Sequence, residues 1–156
     1  MSNIATEPKR QFATRWIYND GGRAAAGFNG TTGDCACRAI AIATGKPYRE
    51  VYAELNALCA LLGPRRASAE TGLPDRIAHI YLGQLGWRWT STDKARLHRW
   101  DLPPGRIIAA VSKHLVALVD NVVHDDGEHW RGRRPVYGYY TQNSQEQTQY
   151  TGDNYV

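Results

Sequence analysis

Apolar positions in the first half of the chain recur every three and four residues. Ala36, Ile40 and Ala43 share one side of a helix predicted over Cys35 to Thr44, with Gly45 as its C-terminal stop. Val51, Leu55, Leu58 and Leu62 mark a second helix in KPYREVYAELNALCALLG, which has a proline near its start and Gly63 at its end. A third, DRIAHIYLGQLG, turns Ile77, Ile80 and Leu85 inward. Beyond Gly86 the texture changes to that of strands: WRWTST, RIIAAVS, HLVALV, VVHDD and RPVYGYY. RWIY, ahead of the helices, is a short strand entering an Asp-Gly turn. Helices first and strands afterwards predict an α+β fold, with N-terminal helices packed on a C-terminal antiparallel sheet.

The polar remainder sets the boundaries. Residues 1–14 are read as a flexible N-terminus, 15–140 as one domain and 141–156 as a polar, Gln-rich tail. PRRASAETGLP is expected to be an exposed, mobile loop. At 156 residues a single domain can bury its own core. The longest apolar runs are too short to span a bilayer, and MSNIATEPKRQF holds no secretory signal. Three cysteines make no disulfide framework, so a reducing cytoplasm is the expected location, with no membrane partner. A net charge of +4 permits nucleic-acid binding without arguing for it. The dense basic patch, Arg131 to Arg134 before VYGYY, could stack on RNA but reads better as a basic turn feeding a strand.

Chemistry enters with FNGTTGDCACRAIAIATG, where a Gly- and Thr-rich loop runs into a cysteine at a helix start. Unpaired N–H groups and the macrodipole there favour an anion and lower a thiol's pKa. Asp34 would oppose this if it faced the sulfur. As helix N-cap, a role it shares as candidate with Thr32, it is expected to turn toward first-turn N–H groups instead. The competing reading of Cys35 is a small buried hydrophobe, which is the natural reading of Cys59 in mid-helix.

A thiol nucleophile needs a base, and the base needs a partner to orient it. Of the five histidines, His79 is mid-helix, His98 and His129 adjoin loops, and His114 and His124 share the last strand pair. His114 opens its strand, at the sheet's end. A two-residue turn at Asp120-Asn121 sets Val116 opposite Asp125 and His114 opposite Gly127. Asp125 then shares His114's face, diagonally adjacent, while Asp126 and His124 fall on the other. Asp120 shares the face too, but roughly 20 Å along the strand. Asp125 is therefore the expected partner, with Asp126 as fallback if a bulge shifts parity. The competing reading is an ordinary polar end of a surface hairpin.

The order of these residues resembles the papain-like cysteine peptidases. GDCACRAIAIATGKPYREVYAEL, SKHLVALVDNVVHDD and RGRRPVYGYY are similar to small papain-like proteins of phage and prophage genomes, across most of residues 16 to 140. That resemblance implies a papain-like fold with residues 15–140 as its catalytic domain. It implies Cys35 as nucleophile, His114 as general base and acid, and Asp125 as orienting carboxylate. The oxyanion hole would use the Cys35 backbone N–H and an amide side chain six positions earlier. There papain-like enzymes have Gln and this chain has Asn29, on a shorter arm. No cofactor or metal is implied. Arg38, one helical turn after Cys35, would brace the loop or nearby carboxylates.

The reading that follows is a thiol hydrolase, a cysteine peptidase or isopeptidase working through a thioester on a protein or peptide substrate. A phage origin would make that substrate a host protein in the bacterial cytoplasm. The same triad serves acyl transfer of transglutaminase type, and the fold could also be kept as a non-catalytic binding or inhibitory protein. A zinc site from Cys35, Cys37 and histidines lacks the CxxC or HxxxH spacing that zinc sites favour.

Overall fold

A computed structural model describes residues 15–30, 33–92, 102–127 and 135–143. Thr32, His98, His129, Arg131 to Arg134, the N-terminal segment and the tail from residue 144 lie outside the described residues. In chain order the elements are β1 (Arg15–Tyr18), α1 (Cys35–Thr44), α2 (Tyr48–Leu62), α3 (Asp75–Gln84), β2 (Trp87–Ser91), β3 (Arg106–Val111), β4 (His114–Val119), β5 (Val122–Asp125) and β6 (Val136–Gln142). The architecture is α+β. The strands form one six-stranded sheet in the order β1-β5-β4-β3-β6-β2. No helix among the described residues is long and apolar enough to cross a membrane.

The sheet is mixed, where an antiparallel one was expected. β1 lies parallel to β5, from Arg15↔Val122 to Tyr18↔Asp125, while all other pairs are antiparallel. Parallel partners need a long crossover, and here residues 19–121 intervene between the two strands. A hydrophobic pattern of four residues carries no sign of that direction.

Strand alternation splits the core in two. Ile108, Ala117 and Tyr140 face the helices and join Ile40, Val51, Leu55, Tyr81, Leu82 and Trp87. Ile107, Ala109, Val111, Val116, Leu118, Val123 and Val136 form a second cluster on the opposite side of the sheet. α1 lies at the centre, with Ala36, Cys37, Arg38, Ala39, Ile40, Ala41 and Ala43 all buried. Its alanines let strand and helix neighbours approach on nearly every side. α2 buries Val51, Leu55 and Cys59, and Leu62 at its end is exposed where the helix runs past the layer it packs on. α3 buries Ile77, Ala78, Tyr81 and Leu82, so its inward stripe lies one position beyond Ile80, which is half-buried with Leu85.

The segment after α2 is exposed over most of its length, as expected, but it is tied down at its middle. Ala69 is 2% exposed, and its N–H donates to Asn56 Oδ1 at 2.9 Å. The Ser68 and Thr71 hydroxyls pair at 2.8 Å, and Ser68 bridges to Gly72. A Cβ on Gly33 would stand 3.3 Å from the Thr71 carbonyl, so glycine there lets this loop close on the residues just ahead of α1.

The β4–β5 turn holds the register on which the site depends. Asp120 and Asn121 have φ of 49° and 64°, as a type I′ turn requires, and the ladder runs from Val119↔Val122 to Ala117↔His124. The Asp120 carboxylate accepts the Gly105 N–H at 2.8 Å and so ties the turn to the start of β3. Asn121→Val should destabilise the fold by about 1–2 kcal/mol, because a β-branched residue resists positive φ, whereas Asn121→Gly should cost little. Urea unfolding of the two variants checks this, and equal midpoints would contradict it.

Candidate active site

The site stands where the N-terminus of α1 meets the ends of β4 and β5. Cys35 is the first residue of α1 and half-exposed. His114 is the first residue of β4 and Asp125 the last of β5. His114 Nε2 and Asp125 Oδ2 are 2.7 Å apart, with both side chains buried. The second ring nitrogen, Nδ1, is then the one available to the Cys35 thiol, with which the imidazole hydrogen-bonds. The two-residue turn and strand parity therefore bring His114 and Asp125 together, and the packing of α1 on the sheet adds Cys35.

Asp34, Arg38, His114 and Asp125 make up the buried polar and charged side chains among the described residues, and they belong to one network. Arg38, four residues after Asp34 on α1, donates from Nε to Asp34 Oδ1 at 3.0 Å. Its Nη1 reaches Asp125 Oδ1 at 3.1 Å and Asp126 Oδ2 at 2.8 Å. Asp34 Oδ2 takes the Tyr48 hydroxyl at 2.7 Å and stands 3.0 Å from Arg23 Nε. The Asp126 N–H completes Asp125 Oδ1 at 2.9 Å. Each Asp125 oxygen thus has a donor, and the carboxylate can turn neither away from the imidazole nor out to solvent.

Three sequence expectations change here. Asp34 occupies the N-cap position but makes no side-chain cap hydrogen bond, because its carboxylate is taken by Arg38, Arg23 and Tyr48. Asp126 follows the last residue of β5, so strand alternation no longer governs it, and its carboxylate reaches Arg38 instead of staying apart. Asn29 is exposed, its backbone carbonyl accepts Arg23 Nη2 at 3.0 Å, and it does not line the cleft beside Cys35.

Electrostatics follow from the charge count. Two guanidiniums, Arg23 and Arg38, face three carboxylates, Asp34, Asp125 and Asp126, and a protonated His114 supplies the missing positive charge. Burial opposes that proton, but the hydrogen bonds to Asp125 and Cys35 outweigh it and push the imidazole up to about 9. Burial likewise raises the Cys35 thiol. The His114 hydrogen bond, a backbone hydrogen bond at Leu115 and the charges of His114 and Arg38 outweigh it, leaving the thiol below its ordinary value. Both shifts favour a thiolate–imidazolium pair over the neutral thiol and imidazole. Cys37 is the opposite case: burial pushes its thiol up to about 12, and its Sγ donates to the Tyr48 carbonyl at 3.9 Å. Burial also raises Cys59.

Cys35 and His114 open onto a cleft of about 840 Å³. It runs between the start of α1 and α3, over the ends of β3, β4 and β6, with Leu73, His79, Trp89, Leu115 and Tyr140 on its walls. Sequence reasoning missed this lining, since its residues come from separate elements. The expectation that Arg38 braces nearby carboxylates is met, but Asp34 was not named as a partner although the four-residue spacing on one helix was its signal. Among the described residues no group of His, Cys, Asp and Glu side chains could hold a metal ion. No protein-family model, curated protein or solved structure matches the chain.

Brief iodoacetamide treatment at neutral pH should alkylate Cys35 well ahead of Cys37 and Cys59. In His114→Ala, burial is left as the largest influence on the thiol, so Cys35 labelling at neutral pH should fall sharply. Peptide mapping reads both, and fastest labelling of Cys37 or Cys59 would contradict the electrostatics.

Proposed function

We propose that the protein is a thiol hydrolase, a cysteine peptidase or isopeptidase of papain-like type, acting on a protein or peptide substrate. The observation that carries this reading is His114 held by Asp125 on one ring nitrogen and by Cys35 on the other, at the wall of an open cleft. The Cys35 thiolate attacks the substrate carbonyl carbon, and the negative charge moves to the carbonyl oxygen. The Cys35 backbone N–H, one of the first-turn donors that have no partner within the helix, is the donor for that oxyanion. Collapse breaks the C–N bond as imidazolium His114 hands its proton to the leaving amine. Neutral His114 then takes a proton from water, and the hydroxide adds to the thioester carbonyl. The C–S bond breaks, releasing the acid and restoring the thiolate. Asp125 keeps the imidazole aimed and stabilises its charged form. The resemblance to phage papain-like proteins adds a host bacterial protein as the substrate and the cytoplasm as the place of action.

A fluorogenic peptide library tests the reaction. Cys35→Ala and His114→Ala should abolish turnover while still unfolding cooperatively. Asp125→Ala should retain a residue of activity, slowed by roughly 10⁴-fold. Asp120→Asn, at the far end of the hairpin, should turn over as the unaltered chain does. The kcat/KM profile should fall on the acid side as Cys35 takes a proton and on the alkaline side as His114 loses one near 9. Near-normal turnover by Cys35→Ala or His114→Ala, or none by the unaltered protein across the library, would sink the reading.

A further inference from the structure

The cleft has an apolar end built differently from its reactive end. Register aligns Ala110 with Gly138 and Gly138 with Ser91, a row of small residues across β3, β6 and β2. The Trp89 indole lies over this row: a Cβ on Gly138 would stand 2.2 Å from Trp89 Cζ2, a distance no real side chain could occupy. Trp89 Nε1 donates to Ser91 Oγ at 3.0 Å, which fixes the ring's direction along its strand. The Tyr140 ring packs on it at 4.8 Å between centroids, tilted by 57°. His79, from α3, follows at 5.9 Å from Tyr140, with Nδ1 3.3 Å from the Tyr140 hydroxyl. Trp89, Tyr140 and His79 line the same cleft as Cys35 and His114. Their orientations are held without a ligand, so an occupant need not order them first.

We propose that this end is a side-chain subsite for a planar aromatic residue of a peptide substrate, carried close to the carbonyl that Cys35 attacks. The inference rests on the thiol-hydrolase reading and names the substrate class of that site. Tilted and offset ring arrangements such as that of Trp89 and Tyr140 are the ones a further aromatic ring extends favourably. Gly138 is the specificity-determining position beneath it, because a Cβ there would meet both the indole and, at 2.6 Å, the Thr90 carbonyl oxygen, so only glycine lets the ring lie on the sheet. A glycine tail, as isopeptide substrates of ubiquitin type carry, would leave these rings in water and gain nothing from them. Transferring a phenyl side chain into such a site favours it over glycine by roughly tenfold to hundredfold.

The test uses the full chain and a set of tripeptidyl chloromethyl ketones, with Phe or Gly at each of the two residues nearest the ketone. Reaction forms an Sγ–C bond and expels chloride, so the adduct at Cys35 is read by mass spectrometry without any turnover. Iodoacetamide, which requires no side-chain recognition, runs alongside on the unaltered protein. At least one Phe probe should alkylate Cys35 at least about tenfold faster than the all-Gly probe. Trp89→Ala and Gly138→Ala should each collapse that ratio toward one. If Trp89→Ala does not fold, Trp89→Leu keeps apolar bulk, removes the flat face and should lower the ratio likewise. Fast iodoacetamide labelling of Cys35 with equal rates for all ketones would overturn the aromatic subsite alone. A Phe preference that survives in folded Trp89 and Gly138 variants would also overturn it. Absence of preferential iodoacetamide labelling at Cys35 would overturn the thiol reading and the subsite with it.

Discussion

The guanidinium of Arg38 is the constraint around which the rest is arranged. It is 3% exposed, and a buried cation is tolerable only where carboxylates surround it. Asp34, Asp125 and Asp126 meet that need from the loop before α1 and from the end of β5. The same contacts fix the start of α1 against the end of β5, which sets the distance between the Cys35 thiol and the β4–β5 strand ends. Removing the cation would strand three carboxylates, the kind of loss that costs about 3–5 kcal/mol for a buried pair. Placement of the reactive sulfur and stability of the fold are thereby the same requirement.

The network also explains why two neighbouring thiols shift in opposite directions. Cys35 and Cys37 are two positions apart on one helix. Cys35 faces an imidazolium held by an ionised carboxylate, whereas Cys37 is fully enclosed and finds only the Tyr48 carbonyl. A carbonyl stabilises the thiol, and an imidazolium stabilises the thiolate. Burial raises both: at Cys37 it prevails and sets the direction, whereas at Cys35 the His114 hydrogen bond, the Leu115 backbone hydrogen bond and the nearby positive charges overcome it.

What was legible in the sequence was local or periodic. Helix bounds at Gly45 and Gly63, the turn at Asp120-Asn121 and the pairing of His114 with Asp125 all follow from short-range rules of capping, turn type and strand parity. What escaped depends on contacts that no short window contains. Asp34 satisfies every rule for an N-cap, yet a buried arginine one turn later outcompetes the helix N–H groups for its oxygens. Parity placed Asp126 away from the site, but it lies past the last paired residue, where the alternation lapses. The parallel joining of β1 and the burial of Ala69 are set by partners distant in the chain.

Sequence separation gives the site an order of assembly. His114 and Asp125 are 11 residues apart across a tight turn, whereas Arg38 and Asp125 are separated by 87. Closing the short loop costs far less chain entropy than closing the long one. The imidazole–carboxylate half is a product of one hairpin. The sulfur meets it only when the first helix docks, after nearly the whole domain has emerged from synthesis. Until then Cys35 is an ordinary thiol. A half-folded chain therefore lacks the imidazole and guanidinium that lower the Cys35 thiol, which acquires that environment only with the completed fold.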